Sequence, residues 1–326
     1  MARAPESPTD LSKRSLFGTA KRTVKGFQDD NITDWAAALT YYAVLSIFPA
    51  MIALISLLGL IVDPATITRV ITDTVRQLGP ESAVDTFADP IETIATNQST
   101  AGVMLIVGVV VAIWTASGYI GAFMRAANSI YGREEGRPFW KLRPFQMLIT
   151  LVLVLLAAIV VIALVVSGPV AEAIGSAVGL GDMAVTAWDY AKWPVLLVIA
   201  MFMLAVLYWS APNAKPAGFR WVSPGAVLAI VLWVIASLGF AFYVANFGSY
   251  NKTYGALGGV IVFLVWMWIT NIAVLLGAEV NAETERAREI ESGVPGAEED
   301  IKAPYRDAPD DDEAKDKERA AAGRTA

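Results

Sequence analysis

Six long stretches of this chain contain no Asp, Glu, Lys or Arg: Trp35–Val62, Ala101–Met124, Pro144–Ala171, Trp193–Ala214, Trp221–Asn251 and Thr253–Ala278. Each exceeds the run of about 20 apolar residues that crosses a hydrocarbon core about 30 Å thick. In hydrocarbon a backbone must satisfy its own hydrogen bonds, so segments of this length are helical. Strands of an outer-membrane barrel would be about 10 residues long and alternate in polarity, and nothing here alternates. The fold class expected is therefore all-α: a polytopic membrane protein of six transmembrane helices.

The remaining charges orient the bundle. From the N-terminal segment through the successive loops to the C-terminal segment, the Lys plus Arg counts are 6, 2, 5, 1, 2, 1 and 8. Alternate segments thus collect 21 on one side and 4 on the other, and the basic side is the cytoplasmic one. Both termini are expected there. Trp35, Trp140, Trp193, Trp209 and Trp221 lie near span ends, where indole rings prefer the interface.

Outside the spans, residues 1–11 read as a disordered leader and 12–28 as an interfacial helix. Leu16, Phe17, Ala20, Val24 and Phe27 recur at helical spacing beside Lys21, Arg22 and Lys25. The first external loop, 63–100, carries apolar residues every three or four positions on either side of Gly79-Pro80, the pattern of two short amphipathic helices. Residues 29–285 form the membrane domain. Residues 286–326 are mainly Ala, Asp, Glu, Lys and Arg, a composition expected to be a disordered cytoplasmic tail.

The chain has no Cys and no His. That excludes disulfides, thiolate or imidazole metal sites, and Ser–His triads. Neither a cofactor nor a metal is expected, and an enzyme is not the expected class. The formal charge of −6 gives no support to nucleic-acid binding, which needs a basic surface. The partner required is a lipid bilayer.

With no charge inside the spans, polar uncharged groups and helix breakers are the candidates for a substrate path. Pro49 lies near the middle of the first span, where it either kinks the helix to free carbonyls or simply bends a packed one. Thr40, Tyr41, Tyr42 and Ser46 lie near it. Asn246 and Tyr250 close the fifth span and Tyr254 opens the sixth, followed by Gly255, Gly258 and Gly259, which suit close helix packing. Asn271 is the most deeply placed amide. At the cytoplasmic ends, Arg125 and Glu279 are expected to form a latch with Asn128 or Asn281; snorkelling of each charge into headgroups is the alternative.

Several segments are similar to the YihY/BrkB family of bacterial inner-membrane proteins. They are Ala36 through Pro49 with Leu57-Leu58-Gly59, Asn128 through Gly132 with Arg137-Pro138, Leu207 through Asn213 with Pro224-Gly225-Ala226, and Tyr243 through Tyr250 with Tyr254-Gly255 and Leu276 through Asn281. The resemblance covers roughly residues 20–285 in the family's order. Ala127 and Trp209-Ser210 depart from it. It implies a six-helix inner-membrane protein of a kind that looks like transporters or exporters, supplies no substrate and carries no catalytic residues over. The six spans, the central Pro49 and the polar groups on the first and sixth helices lead to the function expected, a transporter or exporter of a small solute or lipid-like molecule. A ribonuclease label attached to some members finds no ligand-rich site in this chain. The alternative is an envelope scaffold or assembly factor that acts through partners.

Overall fold

A computed structural model describes residues 11–61, 98–165, 182–215, 223–246 and 256–309. Seven helices fill them: α1 (Lys13–Asp29), α2 (Ile32–Ile61), α3 (Gln98–Ile130), α4 (Phe139–Val165), α5 (Asp182–Ser210), α6 (Pro224–Asn246) and α7 (Ala256–Glu291). Among the described residues no strand occurs, only an isolated antiparallel bridge between Ala214 and Tyr305. Helices α3 to α7 each hold a segment long and apolar enough to cross a membrane: Ile106–Ile130, Phe139–Val160, Val185–Ser210, Pro224–Ala245 and Gly258–Glu291. Where the first expected span lies, α2 is a 30-residue helix that continues through Pro49. The external loop expected over 63–100 falls outside the described residues up to 97.

Local chemistry sets the helix ends. Ser12 caps α1, its hydroxyl accepting from the Ser15 N–H at 3.2 Å. Between α1 and α2, Asn31 has φ +52°, a left-handed conformation that Asn tolerates better than most side chains. Pro224 opens α6, where its missing N–H costs nothing. The preceding Ser223 Oγ accepts from the Ala226 N–H at 3.1 Å.

The chain divides into two compact units, residues 1–35, 123–233 and 272–326 in one, and residues 36–122 and 234–271 in the other. In the first, α4 packs on α5, and exposed Leu148, Leu151, Val154, Leu155, Val195 and Val198 form faces suited to lipid. Lipid tails give no hydrophobic drive for helix pairing, so close backbone approach and hydrogen bonds carry it. Gly225 of α6 and Gly277 of α7 meet this way: a Cβ on either would strike the other's carbonyl oxygen. The Tyr208 hydroxyl donates to the Val274 carbonyl at 2.7 Å, and its ring stacks on Phe123. In the second unit, the Tyr42 ring lies over Gly118, and Trp266 Nε1 donates to Ser237 Oγ at 3.2 Å. Gly259, expected to pack closely, has open space beside it.

Disorder beyond residue 286 is not what residues 286–309 show. α7 continues to Glu291, and the following segment folds back with Ala297, Ile301 and Ala303 buried. Its backbone carbonyls hold it: Arg133 Nη2 donates to Ile301 and Ala303 at 2.6 and 2.8 Å, and Arg286 donates to Ala297, Glu298 and Glu299. Gly293 and Gly296 supply two positive-φ turns. Composition misleads here because the segment buries little apolar surface and is anchored by carbonyls, which every residue has. Residues 310–326 lie outside the described part.

Candidate functional site

Three helices contribute to a buried polar chain in the second unit. The Tyr119 hydroxyl on α3 donates to Asn271 Oδ1 on α7 at 2.9 Å, and Asn271 Nδ2 donates to Thr40 Oγ1 on α2 at 3.0 Å. The Thr40 hydroxyl in turn donates to the Ala36 carbonyl at 2.8 Å. Asn271 is 3% exposed. Every hydroxyl and amide contact is made inside the protein, so this chain clasps helices together.

The other expected path residues do not join it. Tyr41 is 60% exposed and meets Tyr42 edge to face. The Ser46 hydroxyl donates to its own helix at Ala43. Pro49 is half-buried within α2. The Asn246 side chain, Tyr250 and Tyr254 lie outside the described residues. Tyr119, overlooked in the sequence, is a phenol in a charge-free span two positions after another hydroxyl, Ser117, and that was its signal.

At the end of α3 a second network forms in the first unit. Asn128 Oδ1 accepts from the Asn213 N–H at 2.6 Å, and Asn128 Nδ2 donates to Glu135 at 3.1 Å. Arg137 grips Glu135 with two 2.7 Å hydrogen bonds. Partial burial alone would raise the Glu135 carboxyl, but the Arg137 and Asn128 donors prevail and hold it below its ordinary value. Asn213 Nδ2 donates to the Glu134 and Asp307 carbonyls at 2.8 and 2.7 Å. Asn281 Oδ1 accepts from the Gly225 N–H at 2.9 Å, and its Nδ2 donates to Ser223, which satisfies orphan groups at the start of α6.

Glu279 lies deepest of the acids near this end, 2% exposed on α7. Helix α1 covers it. Gly26 leaves the necessary room, since a Cβ there would run into Glu279 Oε1. The same contact surface pairs Arg22 with Glu283, and brings the Thr19 hydroxyl to the Glu283 carbonyl at 3.5 Å. Asp30, just past α1, shares a hydrogen bond with Glu279. Burial, with Asp29 and Glu283 nearby, raises the Asp30 carboxyl to about 6 against that bond. Arg125, expected to latch Glu279, is exposed on α3.

A cavity of 380 Å³ opens here, lined by Arg22, Asp30, Tyr131, Glu279, Glu283 and Arg286 among others. Its size is within the range of small-molecule sites. The spacing that builds it was visible in the sequence. Glu279, Glu283 and Arg286 share one face of α7, and Arg22, Gly26 and Asp29 share one face of α1.

Residues 23–301 match the family model described as virulence factor BrkB. A Bacillus subtilis protein named ribonuclease-like protein YfkH is 30% identical over 255 residues, 78% of this chain and 90% of its own length. UPF0761 membrane proteins of Alteromonas mediterranea and Aeromonas salmonicida are each 28% identical, over 85% and 78% of this chain and 90% and 85% of their own lengths. No solved structure matches.

Proposed function

This chain belongs to the virulence factor BrkB family of membrane proteins, and on that premise we propose that it transports a small solute or lipid-like molecule across the bacterial inner membrane. The observation that carries the reading is the 380 Å³ polar cavity beside Glu279, at the end of a helix that also crosses the membrane. A carboxyl buried away from water is costly, and such a group set in a cleft is a candidate functional one. The Thr40–Asn271–Tyr119 chain supports a bundle held by internal hydrogen bonds. In this reading α2 is a sixth crossing, supported by its length and by the absence of charge from Trp35 to Ile61. The basic loops support placing both termini, and the cavity, on the cytoplasmic side.

The protein acts without covalent chemistry in this reading. Its 326 residues include neither His nor Cys, and Glu283 at the cavity is engaged by Arg22 and Arg286. The ribonuclease-like name belongs to the Bacillus relative.

A second reading, an envelope scaffold, draws on the segment 292–309. Arg133 and Arg286 hold its carbonyls and its own Arg306 donates to the Ala214 carbonyl, which builds a fixed surface suited to a partner.

Flux decides between them. Vesicles reconstituted with the full chain should release or take up members of a panel of amines, amino acids and short-chain lipids faster than empty vesicles. Equal rates over the whole panel would favour the scaffold.

A further inference from the structure

In the cavity beside α1 and α7 the acids outnumber the bases, and the bases are committed. Arg22 and Arg286 both hold Glu283, the latter at 3.3 Å, and Lys25 pairs with Asp29 at 3.5 Å. Arg286 also donates to three carbonyls of the C-terminal segment. Glu279 and Asp30 remain, a carboxyl pair with no cation in hydrogen-bonding contact with Glu279 Oε2. That oxygen is buried and has no hydrogen-bond partner. A carboxyl oxygen shut away from water and left unpaired is expensive, and an unsatisfied buried group of this kind calls for an explanation, of which a bound ligand is one. Arg22 Nη2 lines the same cavity, also buried and also without a partner. One orphan wants a donor and the other an acceptor.

We propose that this cavity binds a small organic cation, whose ammonium or guanidinium group seats against Glu279 and Asp30 and whose own hydrogen-bond acceptor receives the Arg22 Nη2 N–H. A divalent metal fits less well. The space far exceeds one ion, and among the described residues no cluster of three or more acids is arranged to hold a metal. A simple anion would face the Glu279–Asp30 carboxyl pair. An amine bearing a hydroxyl or carbonyl satisfies both orphans and offsets the excess negative charge. The same chemistry is offered by a free amine in water and by an ethanolamine headgroup on a lipid.

The inference rests on the transport reading in treating the cavity as a solute site, but its test reads binding alone, so the failure of either is seen separately. The full chain is placed in phosphatidylcholine nanodiscs at neutral pH and titrated calorimetrically with ethanolamine, putrescine and agmatine, with acetate and Mg²⁺ as controls. At least one amine should bind saturably while both controls do not. Glu279→Gln and Asp30→Asn should each weaken that binding by about 30-fold or more, the loss expected when one partner of a buried charge pair is removed. Doping the discs with phosphatidylethanolamine separates the sources: competition with the free amine identifies a headgroup, and unchanged affinity identifies a solute. If Glu279→Gln fails to fold, Asp30→Asn carries the test. No saturable amine binding by the folded wild type would overturn the proposal and leave the pair holding only a proton. Equal binding by a folded variant would overturn it too.

Discussion

Asn271 shows how a single amide can order a membrane bundle. It lies in a span with no charge, accepts from one helix and donates to another. Such bonds average about 0.6 kcal/mol in bilayers and reach about 1.7, because the unfolded chain also finds partners. A double-mutant cycle of Thr40→Val and Asn271→Leu, read by reversible unfolding in bicelles, should give a coupling in that range. Zero coupling would mean the bond contributes nothing to stability. Asn271 was legible in the sequence because an amide among Ile, Val and Leu stands out. Thr40 was named there too, but its pairing with Asn271 and Tyr119 was not legible, because only the rotational phase of three helices brings the three together. Glu279 was legible as an end charge but not as a buried one. Its burial depends on Gly26, a residue on a helix 253 positions away in sequence.

At the scale of elements, α1 sits with polar Thr19 and Thr23 turned inward while Leu16, Phe17 and Val24 face outward, Phe17 at 76% exposure. The inversion fits an interfacial helix, in which protein takes the hydroxyls and the rings and branched chains are left for lipid. The docking of this helix carries a pH dependence through Asp30. Its folded value of about 6 lies above the ordinary 3.8, so the folded state holds that proton more tightly than a free chain does. The contribution of this group is full below 3.8 and is lost as pH rises through about 6. Spin labels on α1 and α7 should therefore report a larger detached fraction at about pH 7.5 than at about pH 5, and Asp30→Asn should flatten the difference. A detached fraction that rises on acidification would reverse the sign and refute the assignment. Helical periodicity had marked α1 in advance. The fold of 292–309 was hidden, because arginine-to-carbonyl bonds leave no imprint on composition.

For the molecule as a whole, the division between charged and charge-free segments carried most of what the sequence could say about architecture. Helices α3 to α7 follow from solvation alone, since the bilayer penalises every alternative. The basic loops predict that both termini are cytoplasmic, and the chain offers a direct check because it contains no cysteine. Ser292→Cys, on an exposed position, should react with an impermeant maleimide in inverted membrane vesicles and stay unlabelled in intact spheroplasts. Labelling in spheroplasts would turn the assignment over. Finally, α7 is 36 residues long, about 54 Å from end to end, against about 30 Å of hydrocarbon. Some 20 Å of it must therefore stand clear of the oil, and Glu279 begins its last 13 residues. A compound aimed at that carboxyl need not be greasy. A ligand of the kind proposed arrives from water or from the headgroup layer, and compounds that test the site are to be sought among polar amines rather than among molecules selected to dissolve in fat.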